Sequence, residues 1–351
     1  MKKKIFFLFI ILCFIFITIL YMFKSYINVA QTTKKDIVNE KINDKMWCAT
    51  FQLCWNELKN YIGTDIKFID DENNEIVKLL NNYNFNKDDL DEKDYYIKVS
   101  KGYDNLKADI YKDLEKKFKM RNASILDGLD FENKNGIIVY SYLYKEFKFR
   151  KDFEDTTLCF VDSEGIKNYV NGFGFDDKTK KDLTDNVELL YYNGNDFAIK
   201  LKTKEDDEVI LYKTSNILEK SLNDLYNELN SNITQYDGTK KINNYDVLSI
   251  PNIKLDKTIR YHEICNKEIK DSNAEYIAEA IQSISFDLNK NGGKIKSESS
   301  IITDSLSAPL STATIYSFNT PFVIFLKEKG GENYYFAIKI SNTEFLDLIN
   351  Y

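Results

Sequence analysis

Hydrophobic and polar positions divide the chain into an N-terminal part with helical spacing and a longer part with strand spacing. Trp47, Phe51, Leu53, Cys54, Trp55 and Leu58 place apolar side chains around most of a helical turn, which predicts a buried helix over 47–58 with both tryptophans in the core. Leu106, Ile110, Leu114 and Phe118 recur at every fourth position among Lys, Asp and Glu, so 106–118 reads as an amphipathic helix whose charges form a solvated face. The stretch between them, to about Lys101, is charged and of low complexity. From Gly136 onward, runs dense in β-branched and aromatic residues predict strands over 136–144, a hairpin within 187–212, and a strand over 245–255, interrupted by one further helix over 217–229. Helices first and strands later describe an α+β fold.

The C-terminal stretch from Phe286 to Ile340 has three parts. Phe286 to Asn289 alternates apolar and polar and then meets Gly292-Gly293, a strand that ends at a flexible hinge. The segment from about 292 to 315 is rich in Ser, Thr and Ala without helical period and reads as an exposed loop. Tyr316 to Leu326 and Asn333 to Ile340 then flank Lys-Glu-Lys-Gly-Gly as a hairpin. A loop of about 20 residues hung between strands is more often functional than filler.

At the other end, Lys2 to Lys4 precede an uncharged apolar run, Ile5 to Met22. Residues 1–30 therefore read as a signal peptide or a membrane anchor, and 31–45 as a polar linker. Either way the remainder is exported: secreted if the segment is cleaved, or held outside the cytoplasm by residues 5–22 if it is kept. A membrane is a partner only in the second case. The sequons at Asn122 and Asn232 could carry glycans only in a cell with that machinery.

The net charge of −7, with lysines interleaved among acids, gives no footprint for nucleic acid. Cys48, Cys54, Cys159 and Cys265 sit among apolar neighbours as buried thiols. Cys48 and Cys54, six apart, would point in different directions on a helix. His262 is the sole histidine, which removes two-His metal sites and leaves no convincing Ser/His or Cys/His pair. Gly172-Phe-Gly174 lacks the third glycine of a dinucleotide loop, and Asp176-Asp177 and Asp206-Asp207 read as loop charges. No enzyme activity, cofactor or metal is expected.

Tyr316, Phe318, Asn319, Pro321, Phe322, Val323, Ile324 and Leu326 resemble the signature that opens the closing hairpin of the serpins; Thr320 stands where a Lys, Arg, His, Gln or Ser is usual. Upstream, the strand at 136–144 running into Lys145–Phe160, the hairpin within 187–212 and the Pro251 strand are similar to serpin elements in the same order over roughly 106–342. The N-terminal third is shorter than in that family. Lys290-Asn291-Gly292-Gly293 replaces the family's acidic hinge.

The resemblance implies one serpin-like domain over 46–351, with mixed sheets, N-terminal and peripheral helices and an exposed reactive-centre loop. It implies a monomeric protease inhibitor that acts as a one-use substrate trap, cut near Leu306-Ser307. The partner would be a serine or cysteine protease with an apolar primary pocket. The cut loop would enter the central sheet, with Gly292, Gly293, Ile295, Ser297 and Ser299 as the hinge. Gly293, Ile295, Ser297 and Ser299 would share the core face, and Lys294, Lys296 and Glu298 would stay in water. The alternatives are a non-inhibitory serpin-fold binding protein and an unrelated extracytoplasmic or anchored domain.

Overall fold

The computed structural model describes residues 45–119, 126, 131, 136–176, 181–205, 207–294 and 313–349, all within the unit Ile42–Tyr351. In chain order the elements are β1 (Met46–Cys48), α1 (Thr50–Ile62), α2 (Glu75–Asn82), β2 (Tyr95–Lys101), α3 (Leu106–Phe118), β3 (Ile137–Leu143), β4 (Phe147–Lys148), β5 (Glu154–Val161), β6 (Lys167–Phe175), β7 (Val187–Asn193), β8 (Asp196–Lys202) and β9 (Asp207–Lys213). They continue with α4 (Leu222–Gln235), β10 (Val247–Pro251), β11 (Ile253–Arg260), β12 (Ile277–Asn289), β13 (Gly292–Lys294), β14 (Ile315–Ser317), β15 (Phe322–Glu328) and β16 (Phe336–Ile340).

Three sheets result. One runs β1-β16-β15-β9-β8-β7, the second β14-β10-β6-β5, and the third, central sheet β2-β3-β12-β13-β4 with β11 also paired to β12. The central sheet is mixed: β3 and β12 are parallel, with Ser141 opposite Gln282, while β2 is antiparallel to β3 and β11 to β12. One face of it shares the main core with α1 and the six-stranded sheet. The other face is covered by α3, whose Leu106, Ile110, Leu114 and Phe118 bury Ile138, Tyr140, Tyr142 and Ile281.

The helix expected over 47–58 begins only at Thr50. Met46, Trp47 and Cys48 instead pair with Ile338, Ala337 and Phe336 of β16, because this largely buried segment completes a sheet edge before the helix starts. Both tryptophans are buried, and Cys48 and Cys54 are buried free thiols. Helix α3 has the expected bounds. Helix α4 starts at Leu222 rather than 217, where the Ser221 hydroxyl accepts the Asp224 amide (3.1 Å) and caps it. Two runs expected as single strands are broken at Pro251-Asn252 and at Phe318–Pro321, where each chain segment leaves one sheet and enters another. The charged stretch up to Lys101 holds α2 and β2.

Candidate functional site

The hinge is a short hairpin rather than a free end. Strand β13 folds back on β12, with Gly292 opposite Asn289, Gly293 opposite Leu288 and Lys294 opposite Asp287. On its other side Gly292 and Gly293 pair with Lys148 and Phe147 of β4, also antiparallel. Glycine is required at both places. Gly292 has φ +136°, and a Cβ there would meet the Phe147 carbonyl; a Cβ on Gly293 would lie 2.5 Å from the Phe147 ring. Because Gly293 faces Leu288, which is fully buried, it lies on the core side. Ile295, Ser297, Ser299, Leu306 and Ser307 lie outside the described residues.

The β3–β12 ladder ends at Leu143 and Ile284, and β13 enters the sheet just beyond that point. Beneath the ladder runs a buried polar seam. The Gln282 side-chain amide donates to Cys48 O (2.8 Å) and to Thr50 Oγ1 (3.0 Å), while the Tyr261 hydroxyl donates to Gln282 Oε1 (2.8 Å). Thr50 Oγ1 also reaches Ser141 Oγ at 3.4 Å. This seam is neutral. Burial alone drives the Cys48 thiol up to about 11, so it stays protonated at neutral pH.

A second buried cluster sits where β3 ends, and here the groups are ionic. Lys145 Nζ lies 2.5 Å from Asp94, 2.9 Å from Asp207 and 2.9 Å from Glu328, and its ammonium stands over the Tyr335 ring. Tyr335 donates its hydroxyl to Asp207 (2.9 Å). Asp207, expected to be a loop charge, is 6% exposed and part of this cluster. Burial raises its carboxyl to about 6, a rise that the nearby Lys145 partly opposes. Burial also works against the Lys145 charge, but the three carboxylates outweigh it and hold the ammonium above its ordinary value. One cation facing three carboxylates leaves the cluster with an excess of negative charge.

Past the loop, the residues Phe318, Asn319, Pro321 and Phe322 anchor the chain as it crosses from β14 to β15. Phe318 and Phe322 are fully buried and pack together (ring centroids 5.1 Å), and Phe318 N–H donates to Ser249 O (2.9 Å). Asn319 Oδ1 and Ser317 O both accept from Lys213 Nζ, and Asn319 O accepts the Val161 amide. Pro321 occupies the break between strands, where no ladder amide is needed. Lys213, Gln282, Thr50 and Lys145 carry no motif that marks them in the sequence; their roles come from strands that are distant along the chain.

The charges alternating with the hinge were expected to stay in water. Lys296 and Glu298 lie outside the described residues. Where the central sheet is described, its outer face at Tyr140, Tyr142 and Ile281 is roofed by α3, whose Leu106–Phe118 stripe buries it.

The arrangement of three sheets, with the parallel β3–β12 pair in the central one and a closing β15–β16 hairpin in another, matches solved structures. The thermophilic serpin tengpin in its native state has a TM-score of 0.52 to this chain at 12% identity, over 87% of this chain and 90% of that one. The fold is that of the serpins. Serpin48, described as a highly specific serpin of the insect Tenebrio molitor, aligns over 85% of this chain and 91% of its own at 13% identity and TM-score 0.47. Human glycosylated kallistatin aligns over 67% and 63% at 14% identity and TM-score 0.46. No family profile matches the sequence, and no curated protein matches it.

Proposed function

We propose that this chain is an exported inhibitor of serine or cysteine proteases that acts once, through the segment between Lys294 and Ala313. Residues 1–30 serve as signal or anchor and 31–45 as linker, ahead of a working domain at 46–351. No described helix is long and apolar enough to cross a membrane.

The observation that carries this reading is the hinge hairpin, already antiparallel to both β12 and β4. An added strand needs backbone partners on both sides and alternate side chains that fit the core. Extending the observed pairing along β12 sets Ser297 opposite Ile284, Glu298 opposite Ser283 and Ser299 opposite Gln282. Extending it along β4 into β3 sets the same three opposite Leu143, Tyr142 and Ser141. The two extensions agree with the separate pairing of Gln282 with Ser141. Ser299 would then meet the neutral seam, which can exchange one hydroxyl for another.

A non-inhibitory binding role is favoured by one observation, the α3 roof. Glu298 would arrive beneath α3 rather than in water, at a cost of several kcal/mol unless the Tyr142 hydroxyl, which has no hydrogen-bond partner among the described groups, accepts the task of solvating it. The test is a denaturing gel of the full chain with chymotrypsin, with mass spectrometry of released peptides. An SDS-stable adduct and a peptide beginning at Ser307 are expected. Clean cleavage without adduct would select the binding role, and no cut near Leu306 would remove the proposed bond.

A further inference from the structure

The hinge hairpin has little of its own to hold it in the sheet. Both β13 residues that pair with β4 are glycines, which bring no side chain to bury and lose the most conformational freedom on ordering. What fastens the hairpin is its turn. Between β12 and β13 the chain passes through Asn289-Lys290-Asn291-Gly292, and two carbonyls of that turn are bound from outside the hairpin. Lys290 O accepts the Phe153 amide (2.9 Å) and Asn291 O accepts the Phe149 amide (3.0 Å). The Lys290 ammonium also pairs with the Asp155 carboxylate near the start of β5.

The receiving segment is firmly packed. Phe149, Phe153 and Phe173 are buried with ring centroids 5.0 to 5.8 Å apart, and Asp155 stands opposite Phe173 in the β5–β6 ladder. The turn is therefore docked on the four-stranded sheet as well as on the central one. The two carbonyl bonds are of a kind that any residue could offer, whereas the ion pair belongs to Lys290. A fully exposed pair contributes little. Here both side chains are mostly covered, 35% and 23% exposed, and the carbonyl bonds already fix where Lys290 stands, so less freedom is left to lose when the pair forms.

We propose that Lys290 and Asp155 are positioning residues for loop entry: their pair holds the β12–β13 turn against β5 and so keeps Gly292 and Gly293 seated between β12 and β4. This rests on the proposed inhibition, in which the loop follows the strand that those glycines begin. Only a chain whose hairpin is closed can draw the cut loop into the sheet while the protease is still attached. Loosening the turn lowers that competent fraction and shifts the outcome from adduct to clean cleavage.

The test uses the full chain in detergent, with hydrogen exchange at residues 292–294 and the chymotrypsin gel as its two readouts. Lys290→Glu sets two carboxylates against each other and should speed exchange there by roughly fivefold. It should also lower the share of chain recovered as adduct, while the global unfolding midpoint stays where it was, since the hairpin opens without the rest of the fold. Asp155→Lys should do the same. Combining the two restores a pair of opposite charges, so the double variant should recover both slow exchange and adduct, which a loss of general packing would not allow. Unchanged exchange in Lys290→Glu, or a double variant as loose as either single one, overturns the proposal. If the unsubstituted chain forms no adduct, the proposed inhibition falls, and the exchange measurements alone still decide whether the pair holds the hinge.

Discussion

Two buried polar clusters brace β3, and they differ in kind. At Ser141 the seam of Thr50, Gln282 and Tyr261 is neutral, its hydrogen bonds largely satisfied. At Lys145, just past the strand's end, one ammonium faces Asp94, Asp207 and Glu328. Neutral hydrogen bonds can be exchanged for others of similar strength when strands part, whereas an ionic cluster that loses a member leaves charge stranded away from water. The middle of β3 is thus braced by exchangeable neutral bonds, and its end is tied to the six-stranded sheet through β9 and β15.

The largest effect that would break this contrast is Lys145→Met, which leaves the buried Asp94 and Asp207 and the half-buried Glu328 without their cation. It should cost about 3–5 kcal/mol in chemical unfolding of the full chain, and a loss below about 1 kcal/mol would mean that the cluster is solvated. Gln282→Leu should cost less, about 2 kcal/mol, since it strips partners from Cys48 O, Thr50 and the Tyr261 hydroxyl without stranding a charge. Equal losses for the two variants would erase the distinction. Gly293→Ala forces a methyl group onto the Phe147 ring and should cost about 1–2 kcal/mol while speeding hydrogen exchange at Gly292–Lys294. Unchanged exchange there would show that the hairpin does not depend on that close approach.

The smallest effect concerns pH. Asp207 is raised to about 6 in the fold, so between neutral pH and about 4 the folded state holds a proton that the unfolded chain lacks. Stability should therefore rise as pH falls from 7 toward 5, by on the order of 1 kcal/mol, and Asp207→Asn should flatten that rise. A wild-type stability that falls steadily over this window would count against a cluster with surplus negative charge.

What the sequence disclosed follows the same division between local and distant causes. The α3 stripe and the β15–β16 hairpin were legible because periodicity and turn residues are local signals. The broken strands were not, since Pro251 and Pro321 mark a bend without saying that the chain changes sheets there. Strand β2 was hidden by Lys98 and Lys101, residues typical of an edge that reads as polar coil. The Lys145–Asp207 pairing joins residues far apart in the chain, and no spacing announces it. Nor did alternation alone reveal that α3 covers the outer face, because a strand pattern says which residues share a face but not what lies over it.

Strand β1, the first described, lies beside β16, and the six-stranded sheet takes β15 between β16 and β9. A nascent chain therefore holds β9, β8 and β7 as a meander with an unfilled edge until residues 322–340 have left the ribosome. Closing contacts of such long sequence separation form slowly. Until that segment arrives, the β9 edge stays open, and the sheet is completed by the part of the chain that is made after every strand it joins.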